Sequence, residues 1–218
     1  MKKRVVFDLG GVIVRWEPGA TQTGFLSANE WDTYLQTGNF YKLNELLDRG
    51  YTPAEVLTQL RDYNRDEATI FERFIRHYPR SLRGLIPGME QLVGYLHANA
   101  HPTAVISNWS AQLFEHARAA YPLIDALGPR LISGAIGITK PDREIFHLAQ
   151  TVFNTPASQM LLVDDREENV NAAIATGMDG IVFTDAAQLA AQLHERGILT
   201  HAQTQQLTAS ETNGRLAP

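Results

Sequence analysis

The fold of this chain is decided by residues 5–12, whose sequence is VVFDLGGV. The first three residues are apolar, and an acidic residue and two glycines follow within four positions. A run this short and continuously apolar is typical of a strand buried on both faces, as in a parallel sheet. We therefore expect a buried first strand that ends at Asp8.

The same pattern returns four more times along the chain, each time with turn residues after it and a longer amphipathic segment beyond. The further apolar runs cover residues 104–106, 131–132, 161–163 and 181–183. The helical patterns cover residues 88–99, 110–120, 142–153, 166–176 and 186–196. Strands that alternate with helices of this length predict βαβ units, and hence an α/β fold with a doubly wound parallel sheet.

Residues 16–85 interrupt this rhythm, because they contain helix signals and no buried-strand run. Ser27 with Glu30 forms a capping-box pattern, and Thr52-Pro53 supplies an N-cap and a first-turn proline. We predict an all-helical insert at 16–85 after the first strand, within an α/β core formed by residues 1–15 plus 86–200. Residues 201–218 carry few apolar side chains, and we expect a flexible tail there.

Composition excludes several classes of protein. The 218 residues are 44% hydrophobic and 20% charged, as expected for a globular protein, and the formal net charge is −5. We expect no nucleic-acid or membrane partner, since neither a basic surface nor a long apolar stretch is present. The absence of cysteine excludes disulfides, thiolate metal sites and a cysteine nucleophile. We expect a cytoplasmic protein, monomeric or homodimeric.

Polar residues follow several of the predicted strands. Asp8 ends the first, Ser107 the second, and Asp164 with Asp165 the fourth, while Lys140 opens the helix after the third. Each residue alone is typical of a turn or a helix cap. Because ligands bind outside the carboxyl ends of parallel strands, their joint placement at one edge favours a functional site.

Phosphoryl transfer with Mg²⁺ needs this combination of groups. Asp8 and Asp165 can offer the carboxylate oxygens that Mg²⁺ prefers, with Asp164 as a further acid. The Asp8 carboxylate can attack phosphorus, and the Lys140 ammonium can offset the negative charge that collects there. The Ser107 hydroxyl can hold a phosphate oxygen. The predicted substrate is a small phosphorylated metabolite, including sugar phosphates.

Taken together, residues 5–12, 106–108, 140–141 and 163–165 with Asn169 resemble the motifs of the haloacid dehalogenase (HAD) superfamily, in the same order and with an insert after the first. The resemblance covers about residues 4–197 and is closest to phosphatases with a small helical cap. Within these, the pattern is similar to the branch of α-D-glucose-1-phosphate phosphatases.

The resemblance implies a role for each matching residue. Asp8 would be the nucleophile and a Mg²⁺ ligand, and the Gly10 carbonyl a second ligand. Asp165 would be the main distal ligand, with Asp164 helping directly or through water. The residues that would hold phosphate are Ser107, Asn108 and Lys140.

One position departs from the family. Most of its phosphatases carry a second aspartate two residues after the nucleophile, as general acid and base, and Gly10 stands there in this chain. Losing such a group costs about 10²–10⁴ in rate. Either activity is biased toward esters with easily released alcohols, such as sugar 1-phosphates over 6-phosphates, or water or a residue of the cap supplies the proton.

Gly10 also leaves two alternatives open. A dehalogenase would use Asp8 to attack carbon without a metal, although the adjacent acids Asp164 and Asp165 argue against that reading. A binding module would keep the site without turnover. Among the aromatic residues, Trp16 and Trp109 follow motif positions and are candidates for the pocket wall. Those expected in the interior of the insert are Trp31, Phe40 and Tyr41.

Overall fold

The computed structural model describes residues 2–214, and side chains up to residue 207. The strands are β1 (Arg4–Phe7), β2 (Val14–Trp16), β3 (Leu82–Leu85), β4 (Thr103–Ser107), β5 (Arg130–Ile132), β6 (Met160–Asp164) and β7 (Asp179–Val182). The helices are α1 (Ala28–Thr37), α2 (Phe40–Asp48), α3 (Pro53–Tyr63), α4 (Arg65–Arg76), α5 (Met89–Ala98), α6 (Ala111–Ala120), α7 (Leu123–Ala126), α8 (Ser133–Ile136), α9 (Arg143–Val152), α10 (Glu167–Ile174), α11 (Ala186–Glu195) and α12 (His201–Gly214).

Five strands form one parallel sheet in the order β5-β4-β1-β6-β7. The first strand is central, and Val6 pairs with Ala104 on one side and Leu162 on the other. Val5 and Phe7 face one apolar cluster, and Val6 faces a second cluster on the opposite side of the sheet. The predicted doubly wound α/β sheet is confirmed, and burial on both faces explains why its strands are continuously apolar.

The insert contains four helices, and two of them begin at the predicted capping signals. Ser27 and Thr52 each accept a hydrogen bond from the third residue of their helix, and the glutamate there completes a capping box in return. Phe40, Phe71 and Phe74 are fully buried among these helices and contact one another edge to face or tilted. This aromatic interior gives the insert its own apolar centre.

The boundaries of the insert differ from the prediction. Residues 16–85 are not helical to their ends, because β2 and β3 form a two-stranded antiparallel ladder at the base of the segment. Strands of three and four residues that are only partly buried leave no apolar run in the sequence. We call residues 17–81, between these strands, the helical insert.

The segment expected to be a flexible tail forms α12 over His201–Gly214, and residues 215–218 lie outside the described part of the chain. Leu207 is fully buried, and Asn99 exchanges side-chain hydrogen bonds with Gln203. A single well-seated leucine therefore docks a helix whose composition is otherwise polar. Within residues 2–214, no helix is both long enough and apolar enough to cross a bilayer.

Candidate active site

Asp8 directly follows the central strand, and three donors surround its carboxylate. The Ser107 hydroxyl donates to Oδ1 at 2.7 Å, and the Leu9 backbone N–H donates to the same oxygen at 2.7 Å. The Lys140 Nζ lies 3.1 Å from Oδ1. The strands β1 and β4 are neighbours in the sheet, so their carboxyl ends bring Asp8 and Ser107 together although 99 positions separate them.

Lys140 is held at a fixed point although it follows a loop. Its side chain has no exposed surface, and Nζ donates to Asp164 Oδ2 at 2.6 Å and to the Ile106 carbonyl at 2.8 Å. The Asn108 side chain bonds to both backbone groups of Lys140, at 2.8 Å each. The Asn108 amide therefore positions Lys140. Its contact with phosphate stays a prediction.

The two adjacent aspartates have different surroundings. Asp164 is fully buried, and its Oδ1 accepts hydrogen bonds from Asn169 Nδ2 and the Arg166 N–H, both at 2.9 Å. Asp165 is exposed, and its carboxylate lies against Gly11. A Cβ at Gly11 would lie 2.5 Å from Asp165 Oδ2, so only glycine leaves room for the carboxylate there. Asp164 therefore orients Lys140, and the Asp165 oxygens face the open side of the site.

Carboxylate oxygens of Asp8, Asp164 and Asp165 lie within 4.8 Å of one another. Oxygen donors of this charge suit a hard divalent cation such as Mg²⁺, which binds through one or two carboxylates and keeps the remaining positions for water and substrate. The three carboxylates therefore lie close together in the fold and their donor chemistry fits the ion, while the predicted part of the Gly10 carbonyl stays a prediction.

Burial and charge act against each other at the sheet edge. Burial raises the pKa of Asp8 to about 6, with Lys140 opposing the shift and Asp164 adding to it. Burial alone would lower the pKa of Lys140, but the nearby Asp8 and Asp164 raise it above its ordinary value. The lysine is therefore a permanent cation beside the Asp8 carboxylate.

A cavity of about 690 Å³ opens over Asp8, between the sheet edge and the helical insert. Lys140 and Asp165 line it on the sheet side, while Asn44 and Asp48 of α2 line it on the insert side. Tyr41, expected in the interior of the insert, is 59% exposed and also lines this cavity. The prediction for Tyr41 is wrong because the residue lies on the face of α2 opposite the aromatic interior.

A smaller inner cavity of about 70 Å³ lies beside the first and is lined by Trp16 and Trp109, whose contact with a substrate stays a prediction. Both indole N–H groups are buried and face the Tyr78 hydroxyl, whose pKa they act to lower. Tyr78 stands in the same cavity, and burial, followed by the charge of Asp48, raises the pKa of its hydroxyl. The inner cavity is therefore mainly aromatic.

Packing of α2 against the core brings the insert to the site. Phe40, Leu43 and Leu47 are buried. A Cβ at Gly134 would lie 3.0 Å from the Leu47 carbonyl, so the backbones of α2 and the core come into close contact there. The neighbouring face of α2, which carries Asn44 and Asp48, then lines the cavity over Asp8.

Asn44, Asp48 and Tyr78 are among the residues of this site that sequence reasoning missed. A signal for the first two exists, because positions 44 and 48 are one helical turn apart and both carry short polar side chains. Such a pair on one face of an amphipathic helix is ordinarily a solvated surface, and only the docking of α2 distinguishes this pair.

Comparison with known proteins places this site in a family. A family model described as haloacid dehalogenase-like hydrolase matches residues 2–177. A sesquiterpene phosphatase of Aspergillus oryzae is 26% identical over 194 residues, covering 88% of this chain and 95% of the relative. A D-ribitol-5-phosphate phosphatase of Bacteroides thetaiotaomicron is 28% identical over 193 residues, covering 82% of this chain and 90% of the relative.

Among solved structures, a HAD family enzyme from Bacteroides thetaiotaomicron, in complex with magnesium and inorganic phosphate, superimposes with a TM-score of 0.63. It is 18% identical and covers 85% of this chain and 96% of its own, which is likeness of fold. With the sheet, the acidic edge and the family match in agreement, this chain belongs to the haloacid dehalogenase-like hydrolases.

Proposed function

We propose that this protein is a Mg²⁺-dependent phosphatase that hydrolyses a small phosphorylated metabolite through an aspartyl-phosphate on Asp8. The single observation that carries the proposal is the placement of the Asp8 carboxylate. It lies 3.1 Å from a buried ammonium and 2.7 Å from the Ser107 hydroxyl, within a cluster of acids that suits a divalent cation. The phosphatases among its relatives support the same reaction.

In the proposed reaction Asp8 attacks the phosphorus of the ester, and the bond from phosphorus to the alcohol oxygen breaks as the new bond forms. Water then attacks the aspartyl-phosphate, which releases phosphate and restores the carboxylate. Lys140 offsets the charge at the reacting phosphoryl group, and Ser107 donates to one of its oxygens. The observed contacts of both residues with Asp8 support these roles.

Mg²⁺, when bound, supplies further positive charge for the phosphoryl oxygens. Asp8, Asp165 and the Gly10 carbonyl would hold it, with Asp164 as the more distant partner. The contacts of Asp164 support this division, since both of its oxygens already accept hydrogen bonds.

The helical insert, in this proposal, is a cap that selects the substrate, and residues 1–15 plus 86–200 are the catalytic core. Charged and amide side chains dominate the insert side of the cavity, where Asn44, Glu45, Asp48 and Arg49 stand. Hydroxyl-rich metabolites match such a lining better than hydrocarbons do. Sugar and polyol phosphates are therefore the first substrates to test, D-ribitol 5-phosphate and α-D-glucose 1-phosphate among them.

The deciding experiment measures phosphate release from a panel of sugar and polyol phosphates, with Mg²⁺ or with a chelator present. The Asp8→Asn variant keeps the shape of the residue and removes the nucleophile, so we expect a loss of about 10⁴-fold or more. Activity that survives this substitution or the chelator contradicts the proposal.

A dehalogenase is the second candidate, and Gly10 is the observation that favours it, because attack on carbon needs no second aspartate. The three clustered carboxylates weigh against it, since a metal-free site for an anionic substrate gains nothing from them. Release of halide from 2-haloacids without Mg²⁺ would replace the phosphatase proposal with this one.

A further inference from the structure

Asp48 is the acidic residue that the helical insert directs into the site. It ends α2 and lines both the cavity over Asp8 and the inner aromatic cavity. Its Oδ2 accepts a hydrogen bond from Asn44 Nδ2 at 3.0 Å, so the carboxyl is oriented by its own helix. No reaction step assigned so far uses it.

Gly10 faces the same two cavities from the sheet side. A Cβ built on Gly10 meets nothing within 4 Å, so the space where related phosphatases carry a second aspartate is open. The opening lies beside the nucleophile, and it is part of the cavities that Asp48 also lines. The alcohol that leaves the phosphorus atom has room there.

We propose that Asp48 is the proton-transfer residue of this enzyme and takes from the insert the role that Gly10 cannot fill in the core. The inference rests on the proposed phosphatase function. As the bond from phosphorus to the ester oxygen breaks, its electron pair stays on that oxygen, which takes the proton of the Asp48 carboxyl. In the second step the Asp48 carboxylate takes a proton from water, whose oxygen bonds to phosphorus while the bond to Asp8 breaks.

The surroundings of Asp48 suit this exchange. Burial raises the pKa of Asp48 to about 7, and the charges of Asp8 and Glu45 add to the shift, while the Ser110 backbone and Lys140 oppose it. A group near neutrality can both give and accept a proton at ordinary pH. Tyr78 adds no charge to this environment, because its own pKa is raised.

Other groups near the opening are less suited. Glu45 is 57% exposed and is paired with Arg49 at 3.0 Å. Lys140 already donates to Asp164 and to the Ile106 carbonyl. The hydroxyl of Tyr78 holds its proton too firmly to act as a base. Asp48 is thus the carboxyl of the insert that is partly buried and lines the same cavity as the nucleophile.

The experiment compares the first turnover of p-nitrophenyl phosphate, whose alcohol leaves without a proton, with that of an alkyl phosphate, whose alcohol needs one. For Asp48→Asn we expect a nitrophenol burst within about tenfold of the unsubstituted protein, and a first turnover of the alkyl ester about 10²–10⁴-fold slower. Phosphorylated Asp8 should then accumulate, since water lacks its base, and mass spectrometry detects it.

Asp62→Asn is the matched control, because it makes the same change at an exposed position of the same insert, on α3. We expect it to leave both first turnovers unchanged. Equal slowing of both esters by Asp48→Asn assigns it a structural role and overturns the inference, and so does an unchanged alkyl rate. If the unsubstituted protein releases phosphate from neither ester, the proposed function itself fails, which is a separate result.

A second measurement needs no variant. Because the protonated form of Asp48 is the active one for the alkyl ester, its first-turnover rate should fall as pH rises through about 7. The nitrophenyl ester should lack this falling limb. Identical pH profiles for the two esters contradict the assignment.

Discussion

The two walls of the active site are held in different ways. On the sheet side, the side chains of Lys140 and Asp164 have no exposed surface and lie 2.6 Å apart, with further bonds to backbone groups. On the insert side, Asp48 accepts a bond from the Asn44 side chain of its own helix and one from the Ser110 backbone of the core, and Arg49 pairs with the core through a partly exposed ion pair. The charged groups of the sheet side are therefore fixed in position. The side chains of the insert side can be changed without disturbing them.

This difference between the two walls indicates which of them supplies each part of the proposed chemistry. Attack on phosphorus needs charges at set distances, and the edge of a parallel sheet supplies them. Proton transfer and substrate choice depend on the alcohol, which varies between substrates, and in our proposal the insert provides both. Substitutions on the two walls should therefore differ in kind as well as in size.

The largest effect is expected for Lys140→Met on the sheet side. Two carboxylates would lose their buried partner, so the free energy of unfolding should fall by about 3–5 kcal/mol. Phosphatase activity should fall by about 10³-fold, because the cation beside the phosphoryl group is lost. Thermal unfolding and phosphate release measure the two losses.

Lys3→Met is the matched control, since Lys3 forms an ion pair of the same 2.6 Å length with Asp179, but partly exposed and away from the site. Pairs of that kind contribute about 0–1 kcal/mol. The loss of stability in Lys140→Met should also lessen as pH falls, because protonation of Asp8, whose pKa burial raises, removes its unpaired charge. A pH-independent loss would mean that packing, not charge, is what Lys140 supplies.

The next effect is expected for Gly11→Ala. The new Cβ would lie 2.5 Å from Asp165 Oδ2, so that carboxylate must move. We expect the Mg²⁺ concentration for half-maximal activity to rise by about 10–100-fold, as loss of a supporting contact at a metal site does. A titration of activity with Mg²⁺ tests this.

Gly24→Ala separates the two causes in that experiment. Gly24 also has a positive φ, +87° against +77° at Gly11, but a Cβ there meets nothing within 4 Å. It should cost similar backbone strain and leave the Mg²⁺ requirement unchanged. A shift of equal size in both variants would assign the effect to general destabilisation.

A smaller effect, about two- to tenfold, is expected for Asn44→Ala on the insert side. The amide donates to Asp48 and favours its charged form, so its removal should raise the pKa of Asp48. The falling limb for alkyl esters should move to higher pH by about half a unit, the equivalent of an ordinary hydrogen bond. A limb that moves to lower pH contradicts this orientation of the pair.

The sequence predicts the site residues of the sheet side but not those of the insert side, and the reason is physical. Asp8, Ser107 and Asp164 each follow a short apolar run, and parallel strands end at one edge, so the pattern along the chain fixes their meeting place. Asp48 reaches the site because Leu47 packs against the backbone of Gly134. That contact joins segments that are distant in the chain, so the sequence of α2 alone does not predict it.

The same reasoning explains the two differences in the fold. The strands β2 and β3 pair with each other over three and four residues, and their stability comes from that pairing, not from a buried run. The helix α12 is placed by Leu207 against α5 and α11. A single side chain is too weak a signal in a polar segment to predict a docked helix.

The smallest effect is expected for Arg49→Gln, at the ion pair that links the insert to the core. Arg49 Nη1 lies 3.6 Å from Asp142 Oδ2, and the two side chains are 42% and 51% exposed. Water and salt screen such a pair, which is worth about 0–1 kcal/mol, so kcat/KM should change by about twofold or less. Because apolar packing of α2 holds the insert in place, activity of the variant should also be insensitive to added salt. A loss of tenfold or more, matched by raising the ionic strength for the unsubstituted protein, would mean that surface charge positions Asp48, and the insert side would then be as tightly determined as the sheet side.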